Sequence, residues 1–327
     1  MSSIPYSRYL VYPVTWYSFL IVIGASLALF LSCREEKRAL LPRDTVLDLA
    51  LWLIPGGIIG ARIYYVLFSF EQFQNDFLSV FRIWEGGLAI YGGIIAGLII
   101  MFLFCKRRNV PFLLLCDIIV PGLAAAQAIG RWGNWFNMEA YGLPVTGSFP
   151  CVFPLAVQIP ADGYTWHLAT FFYESVWDFI VFLFLLLSRH TLLNRKKGDV
   201  FFFYLFLYAS GRLIIEEMRM DSLFASSVRI SQLLSVLLCA FILFRYRLLS
   251  GQTLRKNPII CLIFFPLSVI GAFVIILYCF FGHRLFVLST EHTSLLLCIC
   301  SFLMICGLFS VYFFPNQQEV KNADNRV

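Results

Sequence analysis

Residues 130–142 concentrate polar side chains directly after a long apolar run. One cation, two amides and one carboxylate are supplied by Arg131, Asn134, Asn137 and Glu139. Such groups are costly near hydrocarbon, and arginine offers a planar fork of donors that suits phosphate. The segment therefore predicts a site that handles a charged lipid or its product. Amides that simply bridge two helices are the alternative, but they account for only one or two of these residues.

A second candidate set lies in the sixth apolar run. Four polar residues recur there at spacings of four, four and three: Tyr208, Arg212, Glu216 and Arg219. These spacings place them on one face of an α-helix, which we expect to face the bundle interior, with Arg212 and Glu216 able to pair. Glu217 and Asp221 fall off that face and are expected to meet water. A structural ion pair between helices is the alternative.

Two glycine-rich segments carry further candidates. Arg62 follows small residues at 56, 57, 60 and 61, which permit close helix packing. An arginine that reaches the outer headgroups is the alternative for this position. Tyr91 lies among five glycines in residues 86–97, which bring backbones together or break a helix at a cavity. A tyrosine of the interfacial belt is the alternative there.

The composition is that of a polytopic membrane protein. Of the 327 residues, 60% are hydrophobic and 13% charged, and the mean hydropathy is +0.81. Nine apolar runs have the length of a membrane span. They cover about 16–33, 47–69, 86–105, 112–130, 168–188, 200–216, 228–249, 259–281 and 293–314. The sixth is the least clear, because it ends in charges.

The distribution of cations predicts the orientation. Lysines and arginines cluster after the first, third, fifth and seventh runs, so we expect the N-terminus outside and the C-terminus in the cytoplasm. Residues 131–167 then form the longest external segment. Its prolines at 144, 150, 154 and 160 argue against a further long helix.

Cysteine and histidine usage indicates no metal or redox chemistry. Nine of the ten cysteines lie in or beside apolar runs, where they act as small hydrophobic residues. The four histidines do not cluster with acids, and no phosphate-binding glycine loop with a following lysine is present. We therefore expect no cofactor, no metal and no nucleic-acid partner.

The residues match a known family. Residues 130–142 resemble the signature of the bacterial prolipoprotein diacylglyceryl transferases, Gly-Arg-x-Gly-Asn-Phe-x-Asn-x-Glu-x-x-Gly, with Trp135 in place of the usual Phe. The likeness extends to the Trp-Tyr pair containing Tyr17, to the segments around Arg62 and Tyr91, and to residues 117–121 and 208–219. It covers roughly residues 12–250.

The resemblance implies seven spans, and the apolar runs that follow it depart from the family, so we expect an all-α architecture with two parts. Residues 1–250 would form a seven-span transferase domain with the external segment 131–167. Residues 251–314 would add two further spans, assigned to packing or to contact with a partner, and residues 315–327 would form a polar cytoplasmic tail.

The resemblance also implies the reaction. The diacylglyceryl group of phosphatidylglycerol passes to the lipobox cysteine thiol of a prolipoprotein signal peptide, which gives a thioether-linked lipid and glycerol phosphate. This is the first step of bacterial lipoprotein maturation, in the cytoplasmic (inner) membrane. The implied catalytic residues are Arg131, Arg212, Glu139, Tyr91 and Tyr208. The implied phosphatidylglycerol-binding residues are Arg131, Asn134, Gly142, Tyr17, Arg62, Glu216 and Arg219.

The identity of the base stays open. Many family members have histidine where this chain has Tyr91, and a phenol, with an ordinary pKa of about 10, is a poor base at neutral pH. Either Tyr91 only positions the lipid, or Glu139 or the phosphate takes the proton.

Two other classes of function remain. A transporter or lipid flippase also uses intramembrane arginines and glycine-broken helices, but it predicts an internal repeat, which is not evident between spans 1–4 and 5–7. A non-catalytic scaffold has little reason to retain buried cations.

Overall fold

The structure, a computed structural model, describes residues 4–5, 7–74, 76–145, 149–193, 195–220, 224–225, 228–249, 258–285 and 290–313. Within these residues, nine helices of at least 19 residues dominate the fold. They are α1 (Trp16–Arg38), α2 (Thr45–Phe68), α3 (Ile90–Arg108), α4 (Phe112–Asn137), α5 (Thr170–Ser188), α6 (Asp199–Met218), α7 (Ile230–Leu249), α8 (Pro258–Leu285) and α9 (Thr290–Phe313). The predicted tail at 315–327 lies outside the described residues.

Short strands pair in three antiparallel hairpins within the described ranges. The strands are β1 (Tyr9–Val11), β2 (Val14–Thr15), β3 (Ala156–Ile159), β4 (Thr165–Leu168), β5 (Phe224–Ala225) and β6 (Val228–Arg229). The sequence did not predict them, because strands of two to four residues carry too little hydrophobic alternation.

Eight of the nine helices are long and apolar enough to cross a membrane, which makes the chain a multi-pass membrane protein. The exception is α6, which carries Asp199, Arg212, Glu216 and Glu217. The nine-span count and the orientation of the termini therefore stay predictions.

Helix α4 extends further than the apolar run predicted. It continues from Phe112 to Asn137, so Arg131, Asn134 and Asn137 are helical and project at intervals of three residues. The boundary predicted at residue 130 was too early, because hydropathy falls where the polar side chains begin while the backbone hydrogen bonding continues.

The segment between α4 and α5 has no long helix in its described residues, as its prolines predicted. It contains the β3–β4 hairpin, in which Val157 pairs with His167. His167 is fully buried, and its Nδ1–H donates to the carbonyl oxygen of Gly142 at 2.9 Å. The hairpin thereby holds the end of the polar signature in place.

The chain divides into two compact units, which are described separately. The first unit comprises residues 1–24, 124–188 and 202–327, and the second comprises residues 25–123 and 189–201.

In the first unit, hydrogen bonds between side chains and backbone fix α4, α5 and α6 against one another. Ser175 donates to the carbonyl oxygen of Ala128 at 2.7 Å, and Trp177 Nε1 donates to that of Leu207 at 2.9 Å. Helix α8 packs along α9, and both contact α7. Side chains near the ends of α4, α5 and α6 are therefore held by a rigid frame.

In the second unit, α2 packs closely on α3 through small residues, as the sequence predicted. A Cβ atom added to Gly60 would lie only 2.8 Å from the carbonyl oxygen of Gly92. In the same unit, Asp117 accepts hydrogen bonds from the backbone N–H groups of Gly198 and Phe201, which stabilises the start of α6.

Candidate functional site

One buried carboxylate organises the polar residues of the first unit. Glu174, in the second turn of α5, has Arg131 Nη2 2.6 Å from its Oε1 atom. Arg212 Nη1 donates to the same oxygen at 3.0 Å, and Arg219 Nη1 lies 3.7 Å from Oε2. Three arginines from α4 and the end of α6 thus converge on a single acid.

The arginines keep part of their surface accessible, whereas the acids that hold them do not. The side chains of Arg131 and Arg212 are 23% and 17% exposed, and that of Glu174 is 3% exposed. Glu216 is also buried and pairs with Arg212 Nη2 at 2.7 Å, which confirms the predicted pairing. A guanidinium fixed from behind by a carboxylate presents its remaining edge to an incoming anion.

The sequence analysis missed Glu174 and Asp178. Both are buried, and Asp178 follows Glu174 by one helical turn. Two acids four residues apart in an otherwise apolar helix are a signal that the sequence contains, because unpaired acids are costly in a membrane. The cations that Glu174 meets could not be read from the sequence, since they come from other helices.

Tyr208 and Tyr17 border the same cluster. Tyr208 precedes Arg212 by one turn and hydrogen bonds with the side chain of Arg131. Tyr17, near the start of α1, packs on Gly133, where an added Cβ would lie 3.2 Å from the Tyr17 Cα. Tyr17 is also within electrostatic range of Arg131 and Glu139. The structure therefore brings both tyrosines to the arginine cluster.

The amides of the signature hold Glu139. Its Oε1 atom accepts hydrogen bonds from Asn134 Nδ2 at 3.0 Å and from Asn137 Nδ2 at 3.1 Å. Met138 and Ala140, on either side, have φ angles of 55° and 54°, in the left-handed region. This turn folds the exposed carboxylate back over the end of α4. Both amides thus hydrogen bond to a residue of the same signature, which does not support the alternative that they bridge two helices.

Gly142 is a packing position. Its N–H donates to the carbonyl oxygen of Leu168 at 2.8 Å. An added Cβ would lie 2.6 Å from the carbonyl oxygen of Met218 and 2.7 Å from Thr170 Cγ2. Gly142 is buried and brings the signature against the end of α6, and its predicted contact with lipid stays a prediction.

Arg62 is a buried residue of the second unit, which contradicts the headgroup alternative. All five of its N–H groups are directed at backbone carbonyl oxygens. These belong to Ser79, Val80, Arg82, Gly86 and Gly87, at 2.6 to 3.4 Å. Arg62 therefore orders residues 79–87, and its predicted contact with phosphatidylglycerol stays a prediction.

Tyr91 also belongs to the second unit. It lies in the first turn of α3 and is 39% exposed. Its exposure agrees with a residue that meets lipid or solvent.

The expectation that Glu217 meets water is wrong. Glu217 is 8% exposed and pairs with Arg229. Its Oε2 atom accepts a hydrogen bond from Gln232 Nε2 at 3.1 Å, and its Oε1 accepts one from the Tyr278 hydroxyl at 3.0 Å. Helices α7 and α8 cover this side of α6, which a helical projection of α6 alone does not reveal. Asp221 lies outside the described residues.

The fold and the site define a class of protein, a multi-pass helical membrane protein with partly accessible arginines anchored on buried acids. The chain belongs to the prolipoprotein diacylglyceryl transferase family, whose match covers residues 7–247. Helices α8 and α9 lie beyond the matched residues.

Individual relatives agree with the family match. The chain is 42% identical over 252 residues to a phosphatidylglycerol–prolipoprotein diacylglyceryl transferase of Halalkalibacterium halodurans, which covers 75% of this chain and 86% of that one. It is also 42% identical over 243 residues to the protein of that name from Clostridium botulinum strain Langeland, covering 73% and 94%. A relative of the same name from Streptococcus agalactiae serotype Ia is 42% identical over 227 residues, covering 69% and 88%.

Proposed function

We propose that this chain transfers the diacylglyceryl group of phosphatidylglycerol to the lipobox cysteine thiol of a prolipoprotein. The observation that carries this conclusion is the convergence of Arg131, Arg212 and Arg219 on buried Glu174, in a chain of this family. The products are a thioether-linked lipid and glycerol phosphate. The enzyme acts in the bacterial cytoplasmic membrane, on substrates that both reside in the bilayer.

Arg131 and Arg212 bind the phosphate of phosphatidylglycerol. The thiol sulfur forms a bond to the glycerol carbon as the bond between that carbon and the phosphate oxygen breaks, so negative charge grows on the departing phosphate. Two guanidiniums already oriented by Glu174 stabilise this charge without reorganising during the reaction. Glu174 itself is a positioning residue, because it acts through the arginines.

Glu139 is the base that we favour for the thiol. A free cysteine has a pKa of about 8.5, so its proton must be removed or its thiolate stabilised. Glu139 is exposed, is oriented by two amides and belongs to the same unit as Arg131. Tyr91 then serves to position lipid, Asn134 and Gly142 act by shaping the site, and Arg62 orders residues 79–87.

A transfer assay tests this function. Purified protein is incubated with phosphatidylglycerol and a lipobox peptide, beside the variants Arg131→Ala and Arg43→Ala. Arg43 is a matched control, since its side chain is 93% exposed. We expect thioether product from the wild-type chain and Arg43→Ala, and none from Arg131→Ala. If the wild-type chain gives no product under conditions in which a known transferase does, the result would favour a transport function.

A further inference from the structure

We propose that Tyr278, in the added helix α8, is a positioning residue for the transfer reaction, acting through Glu217 on Arg212 of α6. This inference rests on the proposed phosphate-binding role of Arg212. Tyr278 lies outside the residues that match the family, so the role is a property of this chain and not of the seven-span domain.

Helix α6 carries polar groups on two sides of its last two turns. Arg212 contacts Glu174 of α5 and pairs with Glu216, whereas Glu217 contacts residues of α7 and α8. Glu216 and Glu217 are neighbours in sequence, so their side chains project about 100° apart around the helix axis. A rotation or tilt of this helix end that moves Glu217 therefore also moves the residues that contact Glu174.

The carboxylate of Glu217 contacts three side chains. Arg229, the last residue of β6, pairs with Oε2, and Gln232 of α7 donates to the same oxygen. The Gln232 amide also donates to the carbonyl oxygen of Leu213 at 3.1 Å, and its side chain is buried. The remaining oxygen, Oε1, accepts the hydroxyl of Tyr278 at 3.0 Å. A buried carboxylate depends on such partners, because each lost hydrogen bond leaves it poorly solvated.

The network continues into α9. The side chain of Thr293 hydrogen bonds with the hydroxyl of Tyr278, so a chain of contacts runs from α9 through α8 to the end of α6. Helix α8 packs along α9 and against α7, which gives Tyr278 a rigid base. The added helices thus brace the side of α6 that carries Glu217.

The test compares two hydroxyl deletions on α8 in the full-length protein. Tyr278→Phe removes the donor to Glu217 and keeps the ring. Ser268→Ala is the matched control, because the Ser268 hydroxyl is buried but donates within its own helix, to the carbonyl oxygen of Phe265 at 2.6 Å. For each variant, the amount of folded protein, kcat and the KM values of phosphatidylglycerol and of the lipobox peptide are measured.

We expect Tyr278→Phe to raise the KM of phosphatidylglycerol about fivefold, with the KM of the peptide unchanged, since the displaced Arg212 contributes to holding the lipid phosphate. Ser268→Ala should behave as wild type. A purely structural role would lower the folded fraction and leave both KM values of the folded enzyme unchanged. That result, or an equal effect of Ser268→Ala, overturns the proposal.

A double-mutant cycle tests whether Tyr278 acts through Glu217. If Tyr278 acts through Glu217, Tyr278→Phe should add no more than about twofold to the KM in a Glu217→Gln background. Full additivity overturns the proposed route. Arg212→Ala, assayed alongside, separates the two hypotheses. Normal activity of that variant refutes the phosphate role of the α6 arginine, whereas its loss together with a silent Tyr278→Phe refutes the present inference alone.

Discussion

Arg131 Nη2 of α4 lies 2.6 Å from Glu174 Oε1 of α5. This contact joins Arg131, which belongs to the signature at residues 130–142, to an acid that lies outside that signature. Because the same oxygen also receives Arg212, one carboxylate sets the separation and orientation of two guanidiniums. The active arrangement is therefore a property of three helices, and changes at Glu174 test it directly.

Glu174→Gln should abolish most of the activity. The amide keeps the shape but removes the charge that holds Arg131 and Arg212, and breaking a buried ion pair costs about 3–5 kcal/mol of stability. We expect a fall in both kcat/KM and thermal stability in detergent. Glu71→Gln, at an exposed position, is the control. Wild-type activity in a folded Glu174→Gln variant would remove the acid from the mechanism.

Replacing arginine by lysine should affect the cluster unequally. Arg131→Lys keeps the charge but loses the planar fork, so we expect kcat to fall by about 100-fold or more. Arg219 lies farther from Glu174, at 3.7 Å, and Arg219→Lys should lose about tenfold at most. Near-normal rates of both variants in single-turnover assays would show that charge, and not geometry, is the requirement.

Glu139→Gln distinguishes the candidate bases. If Glu139 takes the thiol proton, its loss should lower kcat by about 100-fold, within the range of general base catalysis. Tyr91→Phe should then retain kcat within about twofold. The measurement is the rate of thioether formation at saturating peptide. The opposite pattern would assign the chemical role to Tyr91.

Gly142→Ala should disturb the site although no arginine is replaced. The added methyl group would overlap the carbonyl oxygen of Met218, and overpacking of this kind costs about 1–3 kcal/mol. We expect reduced thermal stability and reduced transfer. Gly57→Ala is the control, since its added Cβ meets no atom within 4 Å. An unchanged melting temperature in Gly142→Ala would contradict the packing role.

Arg62→Lys should loosen residues 79–87. A lysine ammonium has three donors, so at least two of the carbonyl contacts made by the guanidinium are lost. Hydrogen exchange of this segment should accelerate, since the residues lose their common anchor. Arg82→Lys is the control, because its pair with Asp76 is partly exposed and contributes little. Unchanged exchange in Arg62→Lys would refute the positioning role.

The sequence by itself determined the class of the protein and predicted several residues of the candidate site. Composition and apolar runs predicted a polytopic helical membrane protein, and residues 130–142 carried the likeness to the family. Spacing alone predicted that Arg212 and Glu216 pair, because a helix fixes the separation of residues four apart. These features are local, so they can be read along one segment.

Only the tertiary structure decided which partner each polar residue meets. The arginines find Glu174, Arg62 finds the carbonyl groups of a neighbouring segment, and Glu217 is covered by α7 and α8 where water was expected. Helical periodicity assigns a side chain to a face, but burial depends on what packs against that face. A buried charge is stable only with partners in place, and those partners come from distant parts of the chain.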